Sequence, residues 1–429
     1  KKIGIVTTWF ERGAAYVSKQ FKEVREKNNE VYIYARGGED LAINDPKWTT
    51  KNITYGKRYS YTNLDLIDLN HFEKWIKNNE LDIVFFNEQH IWDSVLLCNK
   101  LGVISGSYID YYTHDTVPLF DVFDFLICNT KRHFSVFKDH PNVFYIPWGT
   151  NQRIFNESQK KETDLKEVTF FHSAGMNPYR KGTDFLIRAF SNLDVDNSKL
   201  IIHTQISILK FFPFLNKICK NLIQAKKLEI ILKTVSSPGL YHKGDVYVYP
   251  TRLEGIGLSI VEANSCGMPV ITTNQAPMNE FIINNHNGSL INVNSTKKRN
   301  DNYFWDESNI DVDHLTRIMK EYVLNIEELE KRKQKSLIYS NDNFDWNKNS
   351  IALLSIIDQV KFQNKTKEII NNIEIYEKSR GIKFYFSNLV LVGKLKKRIK
   401  NIFISLSGNS NSFRDHLKSP TKSPTSFIT

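Results

Sequence analysis

Short β-branched apolar runs alternate with stretches of helical period along most of this chain, and no other feature constrains the fold as much. Such a run, bounded by turn residues, reads as a strand buried on both faces. Apolar residues spaced three and four apart read as a helix lying over it. Strands are expected at 3–7, 31–35, 83–86, 103–109, 125–128 and 143–146, with helices over 15–27, 71–79 and 94–101. Polar residues 156–166 interrupt this rhythm. It restarts at 168–172, with a helix over 183–193 and strands at 200–203, 229–232, 246–249 and 270–273. Parallel strands need crossover helices, so the expected architecture is α/β, with two doubly wound domains joined by one short linker. The expected boundaries are a first domain at 1–155, a second at 167–345, a closing helix at 346–360 and a basic extension at 361–429. A chain of 429 residues exceeds one ordinary hydrophobic core, which agrees with two domains.

The net charge of +11 suggests a nucleic-acid partner only until its distribution is read. Residues 361–429 hold 14 basic and 4 acidic side chains, leaving 44 and 43 in the preceding 360 residues. A nucleic-acid enzyme carries its charge along the working surface, so no nucleic-acid partner is expected. No apolar run is long enough to span a bilayer, and the start at Lys2-Ile3-Gly4-Ile5-Val6 reads as a strand rather than a signal peptide. Cys98, Cys128, Cys219 and Cys266 are far apart and form no CxxC pair, which argues for a cytoplasmic location and against a zinc site.

The densest chemistry lies in Pro250-Thr-Arg-Leu-Glu254-Gly255-Ile-Gly257-Leu258-Ser-Ile-Val-Glu262-Ala263, followed by Gly267-Met268-Pro269-Val270. A buried strand ends at Pro250, a loop with two glycines follows, and a helix starts near Leu258. The free amides and positive dipole end of such a helix suit a pyrophosphate. Gly255 and Gly257 let an anion approach the backbone. Glu254 and Glu262 can then reach the two sugars at either end of a nucleotide sugar.

This Glu-x7-Glu string, with its Gly-x-Gly-Leu core and trailing Gly-x-Pro-Val, resembles the signature of the family 4 retaining glycosyltransferases of GT-B fold. The resemblance implies two Rossmann-like domains facing across a cleft. It also implies Glu254 at the donor sugar, Glu262 at the ribose, and the Gly257 and Leu258 amides on phosphate. The loop Phe171–Gly182 resembles the one that supplies the family an Arg and a Lys against the pyrophosphate. Lys181 fits. The Arg is usually five residues earlier, where this chain has Met176, so Arg180 or another cation takes that role. Gly13, after the first strand, resembles the small-residue loop that touches donor phosphate; the loop is not GxGxxG, and NAD or FAD is not expected. Many relatives end their strand 103–109 equivalent with a His at the transfer site. Here Asp110 stands in that place, with His114 as the rival. Glu88 and His90, after strand 83–86, are read as acceptor-side residues, and Glu280 as a donor-fixing carboxylate.

The expectation is thus a retaining hexosyltransferase moving sugar from a UDP- or GDP-sugar to a glycan or lipid-linked hydroxyl, in surface polysaccharide or glycoconjugate synthesis. Cations and amides would stabilise the leaving group, with no metal and no further cofactor. A GT-B nucleotide-sugar epimerase and a non-catalytic sugar-nucleotide or glycan-binding membrane scaffold remain open. Within the extension, Val392, Leu395, Ile399 and Leu406 recur at helical spacing among lysines, so residues 389–406 are expected to contact the inner membrane face peripherally.

Overall fold

The structure, a computed structural model, describes residues 1–10, 13–36, 42–57, 65–159 and 166–379. The amphipathic segment 389–406 and the Lys418–Thr425 repeat lie outside the described residues. The chain divides into two compact units.

The first unit carries a sheet built from β1 (Lys2–Thr7), β2 (Glu30–Ala35), β3 (Ile53–Tyr55), β4 (Ile83–Phe86), β5 (Ile104–Tyr108), β6 (Phe125–Cys128) and β7 (Val143–Tyr145), in the order β3-β2-β1-β4-β5-β6-β7. The second carries β8 (Val168–Gly175), β9 (Ser198–Thr204), β10 (Leu228–Leu232), β11 (Val246–Tyr249), β12 (Val270–Thr273) and β13 (Gly288–Ile291), in the order β10-β9-β8-β11-β12-β13. Every neighbouring pair in the second sheet runs parallel. The alternation therefore built what it implied. Strand order reverses between β1 and β4 in one sheet and between β8 and β11 in the other. In open parallel sheets, the crevice at the carboxyl ends of such a pair is where ligands bind.

Strands β4, β6, β11 and β12 are buried at every residue, because helices cover both faces. In the second unit, Phe170, Val246, Val248 and Ile271 meet Leu186 and Ile187 of the helix Thr183–Ser191. Sequence periodicity did not show β3, β13 or the antiparallel pair Val293–Lys297 and Glu307–Ile310. These pieces are short or polar, and period counting needs length.

Neither unit is a single continuous stretch of the chain. Residues 128–136 associate with the second unit, and the described residues 353–379 return to the first. Residues 361–379, grouped by composition with the basic extension, are anchored there. The Lys365 ammonium meets the Asp124 carboxylate at 3.0 Å, both buried, and Glu377 accepts the Trp92 amide at 2.8 Å from the helix Lys367–Ser379. No helix among the described residues is long and apolar enough to cross a membrane.

Candidate functional site

In the second unit, the loops after β8 and β11 meet at the switch point. Gly182 explains how closely. It has a φ of +69°, and a Cβ there would stand 1.9 Å from the Pro250 carbonyl oxygen, so a side chain is excluded twice over. The loops are zipped together as Arg252 N donates to Arg180 O at 2.7 Å and Thr251 Oγ1 to the same oxygen at 2.9 Å. Arg252 adds a buried bidentate pair to Asp184 at 2.7 and 2.8 Å and lies over the Phe185 ring.

This close approach delivers both loop cations to Glu254. Arg180 Nη1 donates to Oε2 at 2.9 Å, Lys181 Nζ to Oε1 at 2.8 Å, and the Tyr249 and Thr251 hydroxyls to Oε1 at 2.8 and 2.7 Å. Burial alone would raise the Glu254 pKa, but the two cations hold it at about 2. Burial, and then the neighbouring Arg180 charge, bring Lys181 down to about 8 in spite of Glu254. Arg180 still keeps Nε and Nη2 buried without a hydrogen-bond partner among the described residues. Buried guanidinium donors are normally satisfied; Arg180 leaves two open, where Arg25, Arg36 and Arg132 leave one each. Met176, at the family's usual Arg position, is 58% exposed; Arg180 is the arginine that reaches the carboxylate.

Gly257 caps the helix Leu258–Ser265 with a φ of +92°, a torsion that favours glycine, and starts the row of helix amides. One turn inside, Glu262 is half-buried and accepts the Tyr241 hydroxyl at 2.6 Å; burial raises its pKa against that bond. Gly255 is fixed from a place the motif does not contain. His133 Nε2 meets its carbonyl at 3.0 Å, and Arg132 donates to the Glu254 carbonyl and, at 2.6 Å, to that of Ala276. Glu280 accepts the Lys131 and Arg132 amides at 2.6 and 2.8 Å, so both its oxygens terminate the helix Lys131–Phe137. Sequence reasoning missed His133, because no local pattern ties it to a loop some 120 residues away.

The first unit holds a second charged cluster at the carboxyl ends of β4 and β5. His90 sits between two carboxylates, Nδ1 at 2.9 Å from Asp65 Oδ2 and Nε2 at 3.2 Å from Asp110 Oδ2. Arg36 pairs with Asp65 Oδ1 at 2.9 Å and donates to Gln89 Oε1 at 2.9 Å. Burial opposes the His90 charge, yet Asp110 and Asp65 raise its pKa to about 10. Burial and the nearby Asp110 charge push Glu88 up to about 8. Glu88 also holds a φ of +55°, a conformation that costs a non-glycine residue about 1–2 kcal/mol. Asp110, Glu88 and His90 are thus brought together, while His114 lies exposed in the turn that follows. Arg36 and Asp65 complete the cluster and were not foreseen. Gly13 is the first residue of the helix Gly13–Arg25, which follows β1 in the chain. No group of His, Cys, Asp and Glu suited to a metal occurs among the described residues, and the four cysteines are free and buried.

Residues 154–302 match the family described as glycosyl transferases group 1. Over 191 residues the chain is 25% identical to a protein named "Probable sucrose-phosphate synthase" from Thermosipho melanesiensis, covering 42% of this chain and 44% of that protein. It is 35% identical over 63 residues to the capsular polysaccharide biosynthesis glycosyltransferase CapM of Staphylococcus aureus, 14% of this chain and 17% of the relative. The chain therefore spans less than half the length of each. Among solved structures, Anabaena HepE in complex with UDP and glucose superposes with a TM-score of 0.62 at 12% identity, over 84% of this chain and all of that one. The fold is GT-B, as the sequence led us to expect.

Proposed function

From the match of residues 154–302 to the glycosyl transferases group 1, we propose that this chain is a retaining hexosyltransferase using a nucleotide diphosphate sugar. The observation that carries the reading is Arg180, whose Nη1 holds Glu254 just ahead of the helix Leu258–Ser265 while its buried Nε and Nη2 have no hydrogen-bond partner among the described residues. Without ligand, Glu254 holds Arg180 and Lys181 in place. An arriving diphosphate competes for those cations, and the carboxylate is released to accept a hydroxyl of the donor sugar. Glu262 takes the ribose hydroxyls. The bond from anomeric carbon to diphosphate breaks, and the charge left on the phosphate is met by Arg180, Lys181 and the Gly257 and Leu258 amides. The acceptor oxygen bonds the same carbon from the same face and gives its proton to the departing phosphate oxygen.

The first-unit cluster is assigned the acceptor hydroxyl, with Asp110 as its hydrogen-bond acceptor and His90, charged between Asp65 and Asp110, fixing that carboxylate. The acceptor is a glycan or a lipid-linked sugar, and the relative CapM supports polysaccharide synthesis as the setting. The test is a panel of UDP-, GDP- and ADP-sugars, scored by nucleoside diphosphate release and by NMR of the product anomer. Glu254→Gln should lower turnover with the sugar that works by about 10²–10³-fold. An inverted product anomer, or unchanged turnover in that variant, would refute the proposal.

A further inference from the structure

Residues 206–233, along the β10 edge of the second unit's sheet, combine exposed aromatic rings with an unbalanced positive charge. After β9, Ser207 caps a one-turn helix Ile208–Phe211 by accepting the Lys210 amide at 3.4 Å. Pro213 then opens a tight turn over Pro213–Leu215, and the helix Asn216–Gln224 leads into β10. Ile208, Phe212, Leu215 and Cys219 are drawn into the core. That anchoring turns their neighbours outward, leaving Phe211 at 43% and Phe214 at 61% exposed on the turn, with Ile223 and Leu232 also exposed. The stretch holds six lysines, at 210, 217, 220, 226, 227 and 233, against one acid, Glu229, which Lys199 pairs at 2.8 Å. Among the described residues, Lys210, Lys217 and Lys220 are exposed and take part in no ion pair. Arg188 adds another cation over the Phe214 ring, 5.4 Å away.

We propose that this face docks on an anionic lipid surface, with Phe211 and Phe214 entering the headgroup–acyl boundary and the lysines lying over anionic headgroups. Apolar groups on a turn, ringed by cations of one sign, are the pattern that an interfacial bilayer contact rewards. A second copy of the chain is a poor occupant, because a two-fold interface would set lysines against lysines. The charge complement is therefore a surface of like negative charges. This contact is independent of residues 389–406 and of the glycosyl-transfer reading.

The experiment uses the full chain with vesicles of phosphatidylcholine, alone or mixed with phosphatidylglycerol, followed by sedimentation and hydrogen exchange. Amides of 208–217 should gain protection on the anionic vesicles only. Phe211→Ser with Phe214→Ser, and separately Lys210→Glu with Lys217→Glu and Lys220→Glu, should each weaken partitioning by about tenfold or more. All these side chains are exposed, and unchanged melting curves would establish that the variants fold. Three results would overturn the proposal: vesicle binding without protection at 208–217, variants that partition like wild type, or protection that grows with protein concentration in the absence of lipid. The last would assign the face to self-association.

Discussion

The two switch points carry inverse electrostatics. In the second unit one carboxylate, Glu254, sits between two cations and is held ionised at about 2. In the first unit one imidazole, His90, sits between two carboxylates and is held protonated up to about 10. Both are nearly buried, and burial works against the charge in each. Neighbours decide the outcome. The difference lies in which charge is in the majority: two cations surround one carboxylate in the second cluster, and two carboxylates surround one imidazole in the first, while each keeps unsatisfied guanidinium donors among the described residues, Nε and Nη2 of Arg180 and Nε of Arg36. A fold that repeats itself has been given opposite charge assignments at equivalent places.

The largest expected effect breaks the second cluster. Glu254→Ala leaves two buried cations without their carboxylate, so turnover should fall about 10²–10³-fold, with a loss of roughly 3–5 kcal/mol in chemical denaturation. Glu254→Gln should lose comparable turnover with a smaller stability loss. Next comes Gly182→Ala. A methyl group 1.9 Å from the Pro250 oxygen would push the loops apart. Its melting point should drop and donor affinity should fall at least tenfold, although the residue carries no chemistry.

Asp110→Asn, in the first cluster, should raise the acceptor KM and lower kcat by about 10–100-fold, while calorimetry finds donor affinity unchanged. A matching loss of donor affinity would erase the distinction between the two sites.

The pH responses should run in opposite senses. His90 has a folded value raised from 6.5 to about 10, so its stabilisation is complete below pH 6.5 and decays as pH rises towards 10. Glu254 has its value lowered from 4.5 to about 2, so its contribution is present above pH 4.5 and fades as pH falls towards 2. The stability gap between wild type and His90→Gln should therefore close in urea titrations at alkaline pH. Donor affinity should decline above pH about 8 as Lys181 deprotonates in the free protein. The smallest effect belongs to Met176→Ala, which should change donor affinity less than twofold, since Met176 is 58% exposed.

Much of this was legible in the sequence because it is written locally. Buried parallel strands show as apolar runs, and Glu254, Gly257 and Glu262 fall within one short motif. What stayed hidden is non-local. Arg132 and His133 brace the Glu254–Gly255 loop from another strand's end, and Asp65, itself paired with Arg36, reaches His90 from a distant loop. Arg180 could be offered as the missing cation, but only the approach forced by Gly182 shows why it reaches Glu254. Glu280 illustrates the converse: a carboxylate in a plausible place whose oxygens both go to helix amides.

Calorimetric titration of the full chain and of Arg180→Ala with the sugar nucleotide that supports turnover tests the central claim most directly. The account predicts saturable one-to-one binding that weakens at least tenfold in the variant, with proton uptake near pH 8.5 as the diphosphate re-protonates Lys181 (pKa about 8). Equal affinity in the two proteins, with no proton taken up, would contradict it.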